Sequence, residues 1–328
     1  MRTATMRSAL MRAIRNARRA RLSGIFFAAL AAIAASGCVA GEKTNRKIQL
    51  VSKLGRPLIA DPPGDRDKLE RNLAEARAAL ALDPSNPEQI VWVGRRLGYL
   101  WRIREAIEVY TDGISMHPDY APLYRHRGHR YITLRMFHRA IDDLERAAEL
   151  IEDKPDKIEP DGAPNKLNIP LTTTAFNVWY HLGLARYLSG DFEGALTAYR
   201  ACMKFSRRYD DNLVATTDWM YMTLRRLGRE EEAKKLLEPI HADMEIIENS
   251  AYHQRLLMYK GLISPEELLP TTDATDLDWA TLGYGLGNWY YVNGELDRAR
   301  VIWRTVVSGR YWPAFGYIAA EVDLARLH

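Results

Sequence analysis

The sequence predicts an all-α chain, an α/α superhelical solenoid of stacked helix-turn-helix units. Three observations carry that reading. Five segments repeat one pattern of small and aromatic residues, the first two offset by 34 residues. Gly94, Gly128, Gly183 and Gly287 fall inside the first helix of four copies. Glycine there costs about 1 kcal/mol against alanine, which makes sense if a second helix must approach closely. Gly190, Gly228 and Gly294 fall at the end of that helix, where a left-handed turn residue is wanted. The chain has 328 residues, 47% of them hydrophobic and 27% charged, with only 2 cysteines. That is ample for a large core and excludes a disordered, collagenous or disulfide-scaffold protein.

Taken from the N-terminus, the first element is a leader. Arg2, Arg7, Arg12, Arg15, Arg18, Arg19 and Arg21 precede an apolar run at 22–35, and residues 1–37 hold no acidic side chain. The run falls short of the roughly 20 residues a spanning helix needs, so it reads as a signal peptide. It also accounts for the formal charge of +4. Without its seven arginines, 39 basic residues face 42 acidic ones, so no nucleic-acid-binding surface is implied. Ala35-Ser36-Gly37-Cys38 resembles the lipobox of bacterial lipoproteins. That resemblance implies lipidation of Cys38, a membrane anchor and a periplasm-facing chain, and Val39 favours an outer membrane where the host has one. The alternative is an ordinary secretory signal cut near Ala40. Residues 38–64 are expected to be an anchor-proximal linker.

The solenoid is expected over 65–328. A half-repeat at 65–84 opens it, and repeats follow at 87–120 and 121–154. Next come an insertion at 155–175, repeats at 176–209 and 214–247, a degenerate repeat at 248–279, a repeat at 280–313 and a capping helix at 314–327. The copies read Ile90, Val93, Gly94, Leu97, Ala106, Tyr110, Pro118; then Tyr124, Gly128, Tyr131, Ala140, Leu144, Ala147. The third reads Trp179, Leu182, Gly183, Gly190, Ala195, Tyr199; the fourth Met220, Leu224, Gly228, Ala233, Leu237. The fifth reads Leu286, Gly287, Tyr290, Gly294, Ala299, Trp303. This pattern resembles the tetratricopeptide repeat. Arg127 departs from it in the second copy and Tyr221 in the fourth, which predicts looser helix contacts there. The insertion is too polar and proline-rich for a helix. Its place between the second and third repeats suggests a lid over the groove. Ser264 and Glu267 form a capping box that should open a short helix.

Catalytic constellations are absent from the sequence: no HExxH, P-loop, GxSxG elbow or CxxC motif is present. His126 and His129 share a helix face, but Arg125, Arg127 and Arg130 around them disfavour a divalent metal. Cys202 sits at a small-residue position of a second helix, as a packed thiol would. No cofactor, metal or enzymatic activity is expected. What the resemblance implies instead is a concave groove lined by fixed first-helix positions. Carried over, these are Arg95 and Tyr99, Arg125 and His129, Tyr180 and Tyr187, Asp218 and Met222, and Tyr284, Asn288 and Tyr291. Arginine and tyrosine are the residue types enriched at protein-binding hot spots. The lysine/asparagine clamp of chaperone-tail-binding relatives is missing, since Val91 and Arg95 stand at the corresponding positions. The expected partner is therefore a protein or peptide in the groove, with the membrane as a second partner through the lipid anchor. In architecture the chain resembles tetratricopeptide lipoproteins of envelope assembly, such as pilotins and adaptors for cell-wall hydrolases. A second reading is a glycan or small-ligand receptor that stacks its ligand on Tyr180, Tyr187, Tyr284 and Tyr291.

Overall fold

The structure, a computed structural model, describes residues 48–269 and 275–327. The leader, its apolar run and Cys38 lie outside the described residues. Among the described residues no helix is long and apolar enough to cross a membrane. Helices come in antiparallel pairs. The half-repeat is α1 (Arg66–Leu82), the first repeat α2 (Pro87–Tyr99) and α3 (Ile103–Met116), and the second α4 (Ala121–Thr133) and α5 (Phe137–Ile151). The third is α6 (Thr174–Ser189) and α7 (Phe192–Cys202), and the fourth α8 (Asp210–Arg226) and α9 (Glu230–Leu236). A single helix, α10 (Ser250–Tyr259), precedes the last pair, α11 (Asp276–Val292) and α12 (Leu296–Ser308), and the cap α13 (Phe315–Arg326).

Local chemistry starts these helices where they start. Asn86 accepts from the backbone N–H groups of Glu88 and Gln89 while Pro87 takes the first helical position. Thr173 caps α6 on Phe176, Asp191 caps α7 on Gly194, and Thr275 with Asp278 closes a full capping box on α11. Within each pair the expected small residues lie at the crossing. Ala106, Ala140, Ala195, Ala233 and Ala299 are completely buried. A Cβ at Gly183 would lie 2.6 Å from the Tyr199 ring, and one at Gly94 2.3 Å from Tyr110. Gly183→Ala therefore sets a gain of about 1 kcal/mol in helix propensity against about 1–3 kcal/mol of overpacking. The expected result is a net loss of about 1 kcal/mol in urea unfolding; a more stable variant would refute the close-approach account.

The left-handed turn residue differs between the two halves of the array. Gly190, Gly228 and Gly294 supply it in the later repeats, at φ of 95°, 72° and 82°. In the first two repeats Trp101 and Arg135 hold the same place at φ of 57° and 61°, a conformation that costs a non-glycine residue roughly 1–2 kcal/mol. Both side chains are committed to the far end of the chain. Trp101 packs edge-on to Tyr311 and Trp312, and Arg135 pairs with Glu321 at 2.6 Å. The solenoid thus closes on itself.

The segment expected as a linker takes part in that closure. Residues 48–59 form a hairpin of β1 (Ile48–Val51) and β2 (Pro57–Ile59), antiparallel with Leu50 opposite Leu58 and Val51 opposite Pro57. Gln49 accepts through its backbone oxygen from Arg104 on α3 at 2.6 Å. On the other side, the Lys53 N–H donates to Glu321 at 2.8 Å, Arg56 to the Val307 carbonyl at 2.8 Å, and the Trp312 indole to the Ile59 carbonyl at 2.8 Å. The hairpin bridges the first repeat to the last.

Two further expectations change on inspection. Arg127 does not loosen the second pair, because Asp143 on α5 takes its guanidinium in two hydrogen bonds of 2.8 and 2.7 Å. Tyr221 stacks on Tyr259 of α10 at 4.3 Å. The Ser264–Glu267 capping box is present, but it closes only a turn. The degenerate segment therefore contributes one helix rather than a pair among its described residues. Its entry is held by the buried carboxylate of Asp211, which accepts the backbone N–H groups of Ile247, Glu248 and Asn249 at 2.7–2.9 Å.

Candidate functional site

The inner face of the array is built from the first helices α2, α4, α6, α8 and α11, and most of it is covered. Seven of the eleven residues expected to line an open groove are buried: Arg125, Tyr180, Tyr187, Asp218, Met222, Tyr284 and Asn288. The cause is the closure. With one helix between the fourth pair and the last, α8 touches both α10 and α11, and α13 packs on α11 and α12 and reaches α6. Tyr187 on α6 and Tyr284 on α11 meet hydroxyl to hydroxyl at 2.7 Å. Tyr284 also donates to Asp323 of α13 at 3.0 Å, and Arg226 spans Asn288 at 2.7 Å and Asp323 at 2.5 Å. Asp218 pairs with the fully buried Arg255 of α10 at 2.8 Å, while Met222 accepts from the same guanidinium at 2.9 Å. Burial pushes the Asp218 carboxyl up to about 7, against the pull of Arg255. These residues form a polar core rather than a groove surface.

Tyr180 donates to Tyr252 at 3.3 Å, and Tyr291 carries the Arg226 guanidinium over its ring at 4.2 Å. His129 lies between His181 and Phe315, with ring centroids at 4.5 and 5.2 Å. The tyrosine platform expected for a glycan is therefore mostly interior.

The N-terminal half of the inner face is covered by the insertion, as its position suggested. Up to Thr173 it forms no helix among the described residues, α6 taking its last two positions, and it is closed by one bridge between Ile158 and Thr173. Arg96 donates to the Gly162 carbonyl at 2.9 Å, and Gly162 lies so close to Tyr99 that a Cβ would sit 2.0 Å from its hydroxyl. Glu159 reaches Arg125 at 3.0 Å and Asn177 at 3.1 Å, with the His126 Nε2 at 3.5 Å from the same carboxylate.

An open cleft remains beside this cover. It has a volume of about 1020 Å3 and is lined by the first three repeats and by the beginning of the insertion. Trp92, Tyr120, Trp179 and Phe205 supply half-buried aromatic surface, and Arg95, Glu159 and His126 also line it. Arg95 stacks on Trp92 at 4.5 Å. Acidic side chains line it as well, among them Glu149 of α5 and Asp153 just before the insertion. Of the expected groove residues only Arg95 lines this cleft. Trp92 and Trp179 were missed because each is one position off the groove register, although an aromatic there is a legible signal.

Titration in this region is dominated by burial. His126, His129 and His181 are held well below the usual imidazole range, first by burial and next by Arg125 or Arg130 beside them. Neutral His126 and His129 then accept at Nδ1 from Arg125 and Arg130, both at 2.8 Å. Cys202 is buried and its thiol is pushed up to about 12, which leaves no thiolate for nucleophilic work. Among the described residues no cluster of three or more histidine, cysteine or acidic side chains is placed to hold a metal.

Residues 176–209, the α6–α7 pair in which Gly183 faces Tyr199, match the family profile described as Tetratricopeptide repeat. The chain carries a tetratricopeptide repeat. A human relative, tetratricopeptide repeat protein 13, is 33% identical over 109 residues, which is 32% of this chain and 13% of the relative. A tetratricopeptide repeat protein from Parabacteroides merdae is similar in structure with a TM-score of 0.48 at 16% identity, over 80% of this chain and 94% of that one. YrrB, described as a TPR protein with an unusual peptide-binding site, gives a TM-score of 0.40 at 13% identity, over 71% and 91% of the two chains. The MamA protein gives 0.40 at 16% identity, over 61% and 88%.

Proposed function

We propose that this tetratricopeptide chain is an exported, lipid-anchored scaffold that binds a protein or peptide segment and performs no chemistry of its own. The observation that carries the binding reading is the aromatic-walled cleft of about 1020 Å3 lined by the first three repeats. It is concave, partly apolar and edged by charge, as sites for a peptide side chain and its backbone are. The anchor reading rests on the arginine-rich leader and Cys38 in its lipobox-like context. Anchoring would place the cleft on the periplasmic side of a membrane, within reach of envelope assemblies. A glycan receptor has less support, because Tyr180, Tyr187 and Tyr284 are buried and offer no stacking face.

The test is in-cell photo-crosslinking from Arg95 and from Trp179, each replaced by a photoreactive residue and read by mass spectrometry. One dominant protein adduct shared by both sites is the expected result. Absence of any protein adduct from a well-expressed chain would sink the scaffold reading. The same cells report on the anchor: Cys38→Ser should move the chain out of the membrane fraction.

A further inference from the structure

The hairpin of β1 and β2 turns an apolar face to solvent. Its inner side is occupied: Leu58 and Ala60 are buried, and Leu50 packs partly against the same core. With Leu50 opposite Leu58 and turned inward, Val51 opposite Pro57 turns outward, and so does Ile59. Val51 is 63% exposed, and Leu54 in the turn is exposed as well. An antiparallel ribbon with one face on a core ordinarily carries polar side chains on the other. Here valine, proline and isoleucine stand in their place. Single exposed apolar residues need no explanation, but a group of them rimmed by charge marks an interaction surface.

The charge in this stretch has one sign. Residues 43–60 carry Lys43, Arg46, Lys47, Lys53 and Arg56 and no acidic side chain, whereas 61–328 hold 34 basic against 41 acidic residues. Lys53 and Arg56 are both exposed on the hairpin. The Arg56 guanidinium donates to the Val307 and Gly309 carbonyls at 2.8 and 3.3 Å, contacts that leave its charge uncompensated. The carboxylates that meet this region are already engaged, Asp61 by Arg310 and Glu321 by Arg135. Apolar side chains among cations without acids suit an anionic lipid surface, where basic stems lie along the apolar layer and their heads meet phosphate. A second copy of this face would bring like charge against like charge across a two-fold axis, which disfavours self-pairing. Chain length points the same way. Cys38 stands ten residues before Ile48, a reach of at most about 35 Å, so the hairpin is the first described element after the expected anchor.

We propose that the hairpin is a membrane contact: Val51, Leu54 and Ile59 sit in the interface of an anionic bilayer, and Lys53 and Arg56 meet its lipid phosphates. The assignment rests on the anchored reading above and adds a second attachment to it. An acyl anchor limits only the distance of the chain from the membrane, whereas a seated hairpin also fixes its orientation. The hairpin is bonded to Arg104 of α3 on one side and to Val307 of α12 and Glu321 of α13 on the other, so seating it orients both ends of the closed array at once. An acyl chain combined with a basic patch holds a protein more firmly than either signal alone. Raising the salt concentration should unseat the hairpin and leave the acyl anchor in place.

The experiment attaches an environment-sensitive NBD dye to Leu54→Cys in the full chain, purified from membranes and reconstituted in vesicles of phosphatidylcholine and phosphatidylglycerol. Cys202 is buried and does not compete for the label. Nitroxide-labelled lipid should quench this dye about twofold or more beyond the same dye on Leu262→Cys, an exposed site outside the hairpin. Lys53→Gln keeps the backbone contact to Glu321 and should lower the seated-to-free ratio about fivefold, the share of one basic residue at an anionic surface. If Leu54→Cys misfolds by circular dichroism, Val51→Cys carries the dye instead. Equal quenching at 54 and 262, or none at 54, overturns the assignment. So does quenching that is indifferent both to Lys53→Gln and to omission of phosphatidylglycerol. A dye at 54 that is shielded from water yet untouched by nitroxide lipid overturns it in favour of a protein or a second copy on this face. Palmitate incorporation at Cys38 reports the anchor by itself. Quenching at 54 without incorporation keeps the contact and removes the anchor, and incorporation without quenching removes the contact alone.

Discussion

Lowering the pH from 7 to 5 is expected to cost the folded chain about 2–4 kcal/mol. His126 and His181 are buried, with 4% exposure each, and all three inner-face histidines have folded pKa values held well below the imidazole range. In the unfolded chain these rings titrate near 6.5. Above that pH both states hold neutral rings and the contribution is fully present. As pH falls below it the unfolded state binds protons that the folded state refuses, and each such proton is worth about 1.4 kcal/mol per pH unit. Asp218 works in the opposite sense. Its folded value near 7 lies above the unfolded one, so the folded state gains a proton as the pH falls from 7 towards 4. Two to three histidine protons against one carboxyl proton leave a net slope of about 1.4–2.7 kcal/mol per pH unit. Urea midpoints between pH 7.5 and 5 measure it directly. His181→Phe preserves the packing against Phe315 and should flatten the slope by about one proton. A stability profile that is level across this range would refute the burial of neutral rings.

The inner-face histidines also show where sequence reasoning reaches and where it stops. The helix pairs were legible because their determinants recur: Gly183 against Tyr199 and Gly94 against Tyr110 repeat one crossing, and the buried alanines mark its register. Each groove residue was assigned to an inner helix face by that same register, and those faces do turn inward. What periodicity does not encode is how far the superhelix closes. Closure depends on the segment at 248–279, where the repeat is lost and one helix brings α11 against α8. Tyr187 and Tyr284 thereby become a buried pair, although they stand 97 residues apart. Contacts of that range have no local signature. The same holds for Glu159, whose role depends on a loop with no period, and for the hairpin at 48–59, which is too short to stand out between a leader and a helix.

Glu321→Gln is expected to destabilise the closure by about 3–5 kcal/mol, the usual cost of leaving a buried charge without its partner. Glu321 is fully buried, Arg135 lies across from it with a side chain 4% exposed, and they meet at 2.6 Å. The Arg135 guanidinium also donates to the Thr133 carbonyl at 2.5 Å and the Trp312 carbonyl at 3.2 Å. Glutamine can still accept from the Lys53 N–H, so the loss falls on the ion pair. Arg310 and Asp61 join the same two parts of the chain at 3.3 Å, but both side chains are more than half exposed. Arg310→Ala should therefore change stability by less than about 1 kcal/mol. Hydrogen exchange separates a local effect from a global one: faster exchange confined to 48–59 and 315–326 would show the closure opening while the repeats stay folded. Replacing both partners, Arg135→Met with Glu321→Leu, should cost less than Glu321→Gln alone, because no buried charge remains uncompensated. If Glu321→Gln proves as mild as Arg310→Ala, the ion pair is not what holds the array shut. The aromatic contacts of Trp101 with Tyr311 and Trp312 would then carry the closure, and with it the burial of the inner face.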